Sequence, residues 1–139
     1  MSGILFKKMY SISMANTEFR TALRKIYKHY AATDVMGVLG QAYMHQILQQ
    51  AEFLNMKLPY LDDPKKPVAL KDYTVSALSI SQILAIPRTT IIRCLDTLIK
   101  QDYVVKTPKG YYISLDEFRR DTLPIYQKYY KKLNNIEHI

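Results

Sequence analysis

From about Asn16 onward, Phe19, Leu23, Ile26, Tyr27 and Tyr30 recur three and four residues apart, with Arg20, Arg24, Lys25 and Lys28 between them. That spacing predicts an amphipathic helix, because residues three and four apart share one helical face. After Ala31-Ala32, Thr33 or Asp34 can cap a second helix, whose apolar series runs Met36, Gly40, Tyr43, Ile47, Ala51, Leu54 and Leu58. Val35, Val38, Leu39 and Ala42 widen its apolar surface, so this helix is expected at the centre of the core; the pair occupies residues 16–58. Residues 55–72 carry three prolines and the charges Asp62, Asp63, Lys65 and Lys66, which predicts an exposed loop. The β-prone stretch 72–75, "DYTV", reads as a small strand feeding a helix capped by Ser76.

The stretch "SQILAIPRTTIIRCLDTLIK", Ser81 to Lys100, has the pattern of two short helices joined by a tight turn. A helix-turn-helix needs a small residue where its helices touch, a turn-permitting residue four positions later and an apolar anchor six after that. Ser81, Ala85 and Ile91 have this spacing, and Ile80, Leu84, Ile86, Leu95 and Leu98 supply a buried stripe. Ala85 stands where glycine is usual, since the turn needs a positive φ, and Pro87 suits the first turn of the second helix. At about 100° per residue, Ile91, Leu95 and Leu98 fall within roughly 60° of one another, while Thr89, Arg93, Asp96 and Lys100 lie on the opposite side. Asp96 and Asp102 would repel phosphate, so the C-terminal half of this helix is expected out of the groove, or Asp96 pairs with Arg93 or Lys100. The polar N-terminal half, Arg88, Thr89, Thr90 and Arg93, has the chemistry of a recognition helix: arginine pairs bidentately with guanine, threonine donates, accepts or touches a thymine methyl, and a helix N-terminus favours phosphate. The same pattern also suits a core helix with a solvated outer face.

Residues 103–114, "YVVKTPKGYYIS", are two β-rich arms around Thr107-Pro108-Lys109-Gly110, which predicts a hairpin with a type I turn. A hairpin directly after a reading helix makes a wing, with Lys106, Thr107 and Lys109 at the tip facing a phosphate backbone or minor groove. The alternative is an edge sheet whose lysines keep it soluble. Ser114 and Glu117 form the S-x-x-E capping pattern, which starts a last helix over 115–135 that Pro124 kinks or divides. The fold expected is a single mainly α domain over 1–139: a winged helix-turn-helix at 72–114 between flanking N- and C-terminal helices. Its recognition helix spans about 87–101 and its wing about 103–114. The candidate DNA-binding set is Ser76, Arg88, Thr89, Thr90, Arg93, Lys106, Thr107 and Lys109.

Over Ile86–Ser114, "IPRTTIIRCLDTLIKQDYVVKTPKGYYIS", the chain resembles the winged helix-turn-helix of bacterial transcription regulators, in local sequence most closely the IclR type. Pro87, Thr89-Thr90, Arg93, Leu95, Thr97-Leu98, Tyr103-Val104 and the turn from Pro108 to Tyr111 match that pattern. The large C-terminal effector domain of that type has no counterpart in the 25 residues after Ser114. The order of elements is similar to MarR-type regulators, which dimerise through their terminal helices. The resemblance is close over 76–114 and topological elsewhere. It implies a homodimer reading a pseudo-palindromic site in double-stranded DNA, one recognition helix per half-site.

Charge agrees with an anionic partner. The chain of 139 residues has a net charge of +8 and a pI near 9.5. The excess is local: residues 1–34 hold six Lys/Arg against two acids and residues 71–114 six against three, whereas the other two segments are nearly balanced. Mean hydropathy of -0.17 is that of a globular chain, and no apolar run approaches a membrane span. The start has neither a secretory core nor an Arg-rich transit pattern, which places the chain in the cytoplasm by default. A lone cysteine, Cys94, cannot form an internal disulfide; it is expected as a small packing residue, the alternative being a redox switch. His29, His45 and His138 are isolated, the four glycines make no phosphate loop, and no catalytic triad or carboxylate pair stands out; neither enzyme activity nor a cofactor is expected. Tyr126, Tyr129 and Tyr130 alternate with Lys128, Lys131 and Lys132 in the last helix, which suits an aromatic dimer interface, the wall of a small-molecule effector pocket, or bases stacked from a single strand. A protein-binding winged helix is the reading from another class.

Overall fold

Ser2 sets the first helix, α1, which runs Gly3–Tyr27: the Ser2 hydroxyl accepts from the Leu5 N–H at 3.1 Å and satisfies one of the donors orphaned at a helix start. The helix therefore starts well before Asn16, where the amphipathic stripe begins; the turns between carry apolar residues on several sides and give no single-face pattern. The structure is a computed structural model that describes residues 2–54 and 73–137, with side chains except at positions 30 and 47–54. The loop expected over 55–72, with Asp62, Asp63, Lys65 and Lys66, and His138 lie outside the described residues, as do the side chains of Ile47, Ala51, Leu54 and Leu58.

Lys28 takes a left-handed backbone (φ 60°) and its N–H closes on the Arg24 carbonyl at 2.7 Å, ending α1. The next helix, α2 (Tyr30–Leu54), begins three to four residues before the caps expected at Thr33 and Asp34. His29 does the capping instead: its Nδ1 accepts from the Ala31 N–H at 3.1 Å, while the Thr33 hydroxyl donates back to the His29 carbonyl from inside the helix. As the wide apolar surface implies, α2 is the central element, with Val35, Leu39 and Tyr43 sealed from solvent.

Two short helices follow, α3 (Ala77–Leu84) and α4 (Arg88–Lys100), then the antiparallel strands β1 (Val104–Thr107) and β2 (Gly110–Ile113). Val104 pairs with Ile113 and Thr107 with Gly110, leaving Pro108-Lys109 as the two-residue loop of the expected hairpin. The strand expected over 72–75 is reduced to one bridge: Val75 exchanges both backbone hydrogen bonds with Tyr111, at 2.8 and 2.9 Å, and the chain then turns at once into the Ser76 cap. Gly110 (φ 145°) lies against this bridge, where a Cβ would sit 2.9 Å from the Val75 carbonyl oxygen.

The last helical stretch is α5 (Leu115–Glu117), a π-helical turn (Phe118–Thr122) and α6 (Leu123–Glu137). The capping box does not close: the Ser114 side chain makes no cap bond, and Glu117 turns to Arg120. The division expected at Pro124 falls just before it. Proline has no N–H for the carbonyl four residues back and its ring crowds that carbonyl, so the ladder slips and the Leu123 N–H donates five residues back to Phe118. The π turn buries Phe118 edge-on against Tyr43 (5.5 Å, 73°) and hydrogen-bonds the Thr122 and Tyr27 hydroxyls. Burial raises the Tyr27 phenol far above its ordinary value, only partly opposed by the Thr122 bond. The aromatic stripe of α6 is largely used within the chain: Phe19 of α1 meets Tyr126 edge-on at 4.9 Å and stacks on Tyr129 at 4.4 Å, while Tyr130 stays exposed. No described helix is long and apolar enough to cross a membrane.

Candidate nucleic-acid interface

The geometry of the candidate surface begins with how α3 is joined to α4. Ser76 caps α3 as its position implies, accepting from the Ser79 N–H at 3.1 Å while its hydroxyl donates to the Ser79 hydroxyl. Both polar functions of Ser76 are thus engaged in the cap, although the residue is exposed. At the other end Ala85 adopts a left-handed conformation (φ 55°, ψ 41°), the positive φ expected there from the helix-turn-helix spacing. Ser81, expected only as a small contact residue, also ties the turn: its hydroxyl donates to the Ile86 carbonyl at 2.6 Å, and its carbonyl accepts from the Ile86 N–H at 3.2 Å. Pro87 takes the N-cap position of α4, and its carbonyl accepts from Thr90 and Ile91.

Helix α4 is held down by Ile91, Leu95 and Leu98, all sealed from solvent, with Ile92, Cys94 and Ile99 half-buried beside them. Burial pushes the Cys94 thiol up, in keeping with a packing residue. Opposite this base, Arg88, Thr89, Arg93, Asp96, Thr97 and Lys100 are exposed. Among the described residues no ion pair involves Arg88, Arg93, Asp96 or Lys100, so the arginines keep their charge for a partner and Asp96 pairs with neither Arg93 nor Lys100. Thr90 differs from the rest of the set: it is half-buried and lines, with Arg93, a cleft of about 320 Å³ whose other walls are Tyr27, His29, Ala32, Cys94 and Thr97. Tyr27 and His29 were not legible as neighbours of α4, because only the chain reversal at Lys28-His29 brings them there.

The hairpin rests on the same core through Val104, Tyr111 and Ile113. At its tip Lys109 is exposed, whereas Thr107 is spent on the turn: its hydroxyl donates to the Gly110 carbonyl at 3.0 Å and accepts from the Lys109 N–H at 3.2 Å. Lys106 is exposed with its Nζ 5.9 Å from the Tyr111 ring centroid, within reach of a cation–π attraction. Behind the hairpin, Tyr103 donates to Asp121 at 3.3 Å; the Arg120 guanidinium holds the Asp121 carboxyl below the usual carboxylate range, and burial, then Asp121, raises the Tyr103 phenol. The structure therefore leaves Arg88, Thr89, Arg93, Lys106 and Lys109 outward with polar groups available, and assigns Ser76 and Thr107 to the backbone and Thr90 to a cleft. In comparisons with known proteins, the chain matches no family model, no curated protein and no solved structure.

Proposed function

We propose that this protein is a winged helix-turn-helix regulator that binds specific sequences in double-stranded DNA as a dimer in the cytoplasm, with α4 in the major groove and the β1–β2 wing on the backbone or minor groove. The observation that carries the reading is the first half of α4: Arg88, Thr89 and Arg93 are exposed, with no ion pair to either arginine among the described residues, on a helix whose opposite side is sealed by Ile91, Leu95 and Leu98. Long fixed cations and a short hydroxyl on a rigid helix N-terminus match base edges and flanking phosphates, and Lys106 and Lys109 add cations on the next element. Thr89 and Arg93 are assigned to base edges, and Lys106 and Lys109 to phosphates.

A protein-binding winged helix is the second reading, and one observation favours it: Leu78 and Ile83 are 50% and 63% exposed on α3. Salt separates the two. Binding to a duplex weakens steeply with salt, by a log–log slope of about -0.9 per phosphate contact, and Arg93→Ala lowers it further. A chain that stays off duplex DNA selected from a random pool, even at low salt, overturns the DNA reading. The half-site spacing of selected sequences reports the dimer directly.

A further inference from the structure

Residues 1–34 hold six Lys/Arg against two acids, and the DNA contacts proposed above use none of the six. Lys7 and Lys8 lie near the start of α1; Arg20, Arg24, Lys25 and Lys28 lie at its other end, where the chain turns into α2. All four of these are exposed, and among the described residues none is in an ion pair. Of the two acids, Glu18 pairs with Lys132 and Asp34 is half-buried on α2. Four cations with no ion pair at one corner favour an anion from outside the chain.

The fold sets this corner beside α4. Tyr27 and His29 stand on one wall of the cleft of about 320 Å³, and Thr90, Cys94 and Thr97, which share one flank of α4, stand on the other. Among the described residues the half-buried Thr90 hydroxyl has no hydrogen-bond partner, whereas that of Thr97 donates back to the Arg93 carbonyl at 3.1 Å. Lys28 is flanked in sequence by the two wall residues Tyr27 and His29. At about 100° per residue, Arg24 is roughly 60° from Tyr27 around α1 and Lys25 roughly 160°, so Arg24 and Lys28 are on the cleft side of the corner.

We infer that this corner is a second phosphate-contact edge of the DNA-binding surface. A helix with its side chains is about 10–12 Å across and the major groove about 12 Å wide, so a helix seated there has a sugar–phosphate strand along each flank. The strand on the Thr90 flank of α4 runs along the cleft. The Thr90 hydroxyl donates to one phosphate, and Arg24 and Lys28 pair with others on the same strand. Thr90 thereby takes a backbone contact rather than a base edge. A small anion fits less well, because Arg24 and Lys28 stand beside the cleft rather than among its walls, which suits a polyanion passing along it.

The edge rests on the DNA reading, and its test tells the two apart. On a duplex selected from a random pool, joint Arg24→Gln and Lys28→Gln substitution reduces the log–log salt slope by about two contacts and the affinity by about tenfold or more at about 0.1 M salt. The ranking of sequences and the helical circular dichroism stay unchanged. Thr90→Val lowers affinity about tenfold, equally for all sequences. Joint Lys7→Gln and Lys8→Gln substitution, the same loss of charge about 24 Å away along α1, leaves the slope unchanged and the affinity within about twofold, because that distance exceeds the Debye length of about 10 Å. In the unsubstituted chain, bound duplex protects Lys28 from acetylation and leaves Lys7 and Lys8 reactive, which keeps the edge testable should a variant misfold. An unchanged slope in the Arg24 and Lys28 variant, an equal loss in the Lys7 and Lys8 variant, a Thr90→Val chain with altered sequence preference, or a Lys28 acetylated as fast with duplex as without overturns the edge while the DNA reading stands. A chain that binds no duplex at low salt overturns both.

Discussion

Replacing Ala85 by glycine should make this protein more stable, although it removes a methyl group and adds none. Ala85 sits at φ 55°, ψ 41°, where the Cβ of an L-residue crowds the following carbonyl, at a cost of roughly 1–2 kcal/mol. Glycine does not have that cost but loses more chain freedom on folding, roughly 0.5–1 kcal/mol, so the net gain is about 0.5–1 kcal/mol. The methyl is exposed, so no packing is lost with it. For a chain of this size that is a rise of about 2–3 °C in Tm, or about 0.3–0.5 M in the urea midpoint with an unchanged slope. Ser81→Ala is the matched opposite: it leaves the Ile86 carbonyl without the hydroxyl that now donates to it and lowers stability by about 0.5–1.5 kcal/mol. Urea unfolding followed by circular dichroism measures both. A neutral or destabilising Ala85→Gly would refute the assignment of strain to this turn, and a neutral Ser81→Ala would remove the hydroxyl from the account of how the turn is held.

Gly110→Ala should destabilise by at least about 1–3 kcal/mol, because it meets both a positive φ and the Val75 carbonyl 2.9 Å away; thermal melting checks it, and a loss below about 0.5 kcal/mol sinks the close approach. Leu95→Ala, on the buried side of α4, should cost about 2–5 kcal/mol in urea unfolding, and a cost of a surface kind would mean α4 is not seated as described. Alkaline titration should show a late tyrosine: burial, then Tyr112 and Tyr43, raise Tyr73 to about 12. Its folded value lies above its unfolded value, so its contribution to stability is whole below the unfolded pKa of about 10 and is lost as pH rises from there through about 12; tyrosinate absorbance followed with unfolding tests the order. In binding, Lys109→Ala should lower affinity equally for all duplexes and reduce the salt slope by about one contact, while Thr89→Ala changes sequence preference; like effects from both would end the division into wing and reader.

Where an element is amphipathic and local, the sequence spelled it out. The stripe of Ile91, Leu95 and Leu98 against Thr89, Arg93 and Lys100 is a property of one helix, and the burial follows it residue by residue. The hairpin was equally legible, because Pro108 and Gly110 act on their own φ angles. Boundaries set by competition were not. Thr33 and Asp34 are good caps, but the His29 ring reached the Ala31 N–H first, and the capping side chain at Ser114 lost its partner when Glu117 turned to Arg120. The slip before Pro124 shows the same limit: proline forbids a bond at one position, and the surrounding packing decides where the ladder gives way.

The candidate site divides along the same line. Whether a side chain faces outward depends on helical phase, which is readable; what it does there depends on what the fold brings opposite it. Arg88, Thr89 and Arg93 could be placed on the solvent side from spacing alone, but Thr90, one residue along, turns toward a wall supplied by Tyr27 and His29, more than sixty positions earlier in the chain. Thr107 has the hydroxyl a phosphate contact would use, and the turn takes it, because a two-residue loop brings the Gly110 carbonyl and the Lys109 N–H closer than any partner could come. Any binding energy from the hairpin in the proposed DNA complex would then come from Lys106 and Lys109, two flexible cations without hydroxyl geometry. Under the proposed DNA reading, such a hairpin would add affinity and salt dependence but little base preference, and sequence discrimination would fall to the two exposed turns of α4.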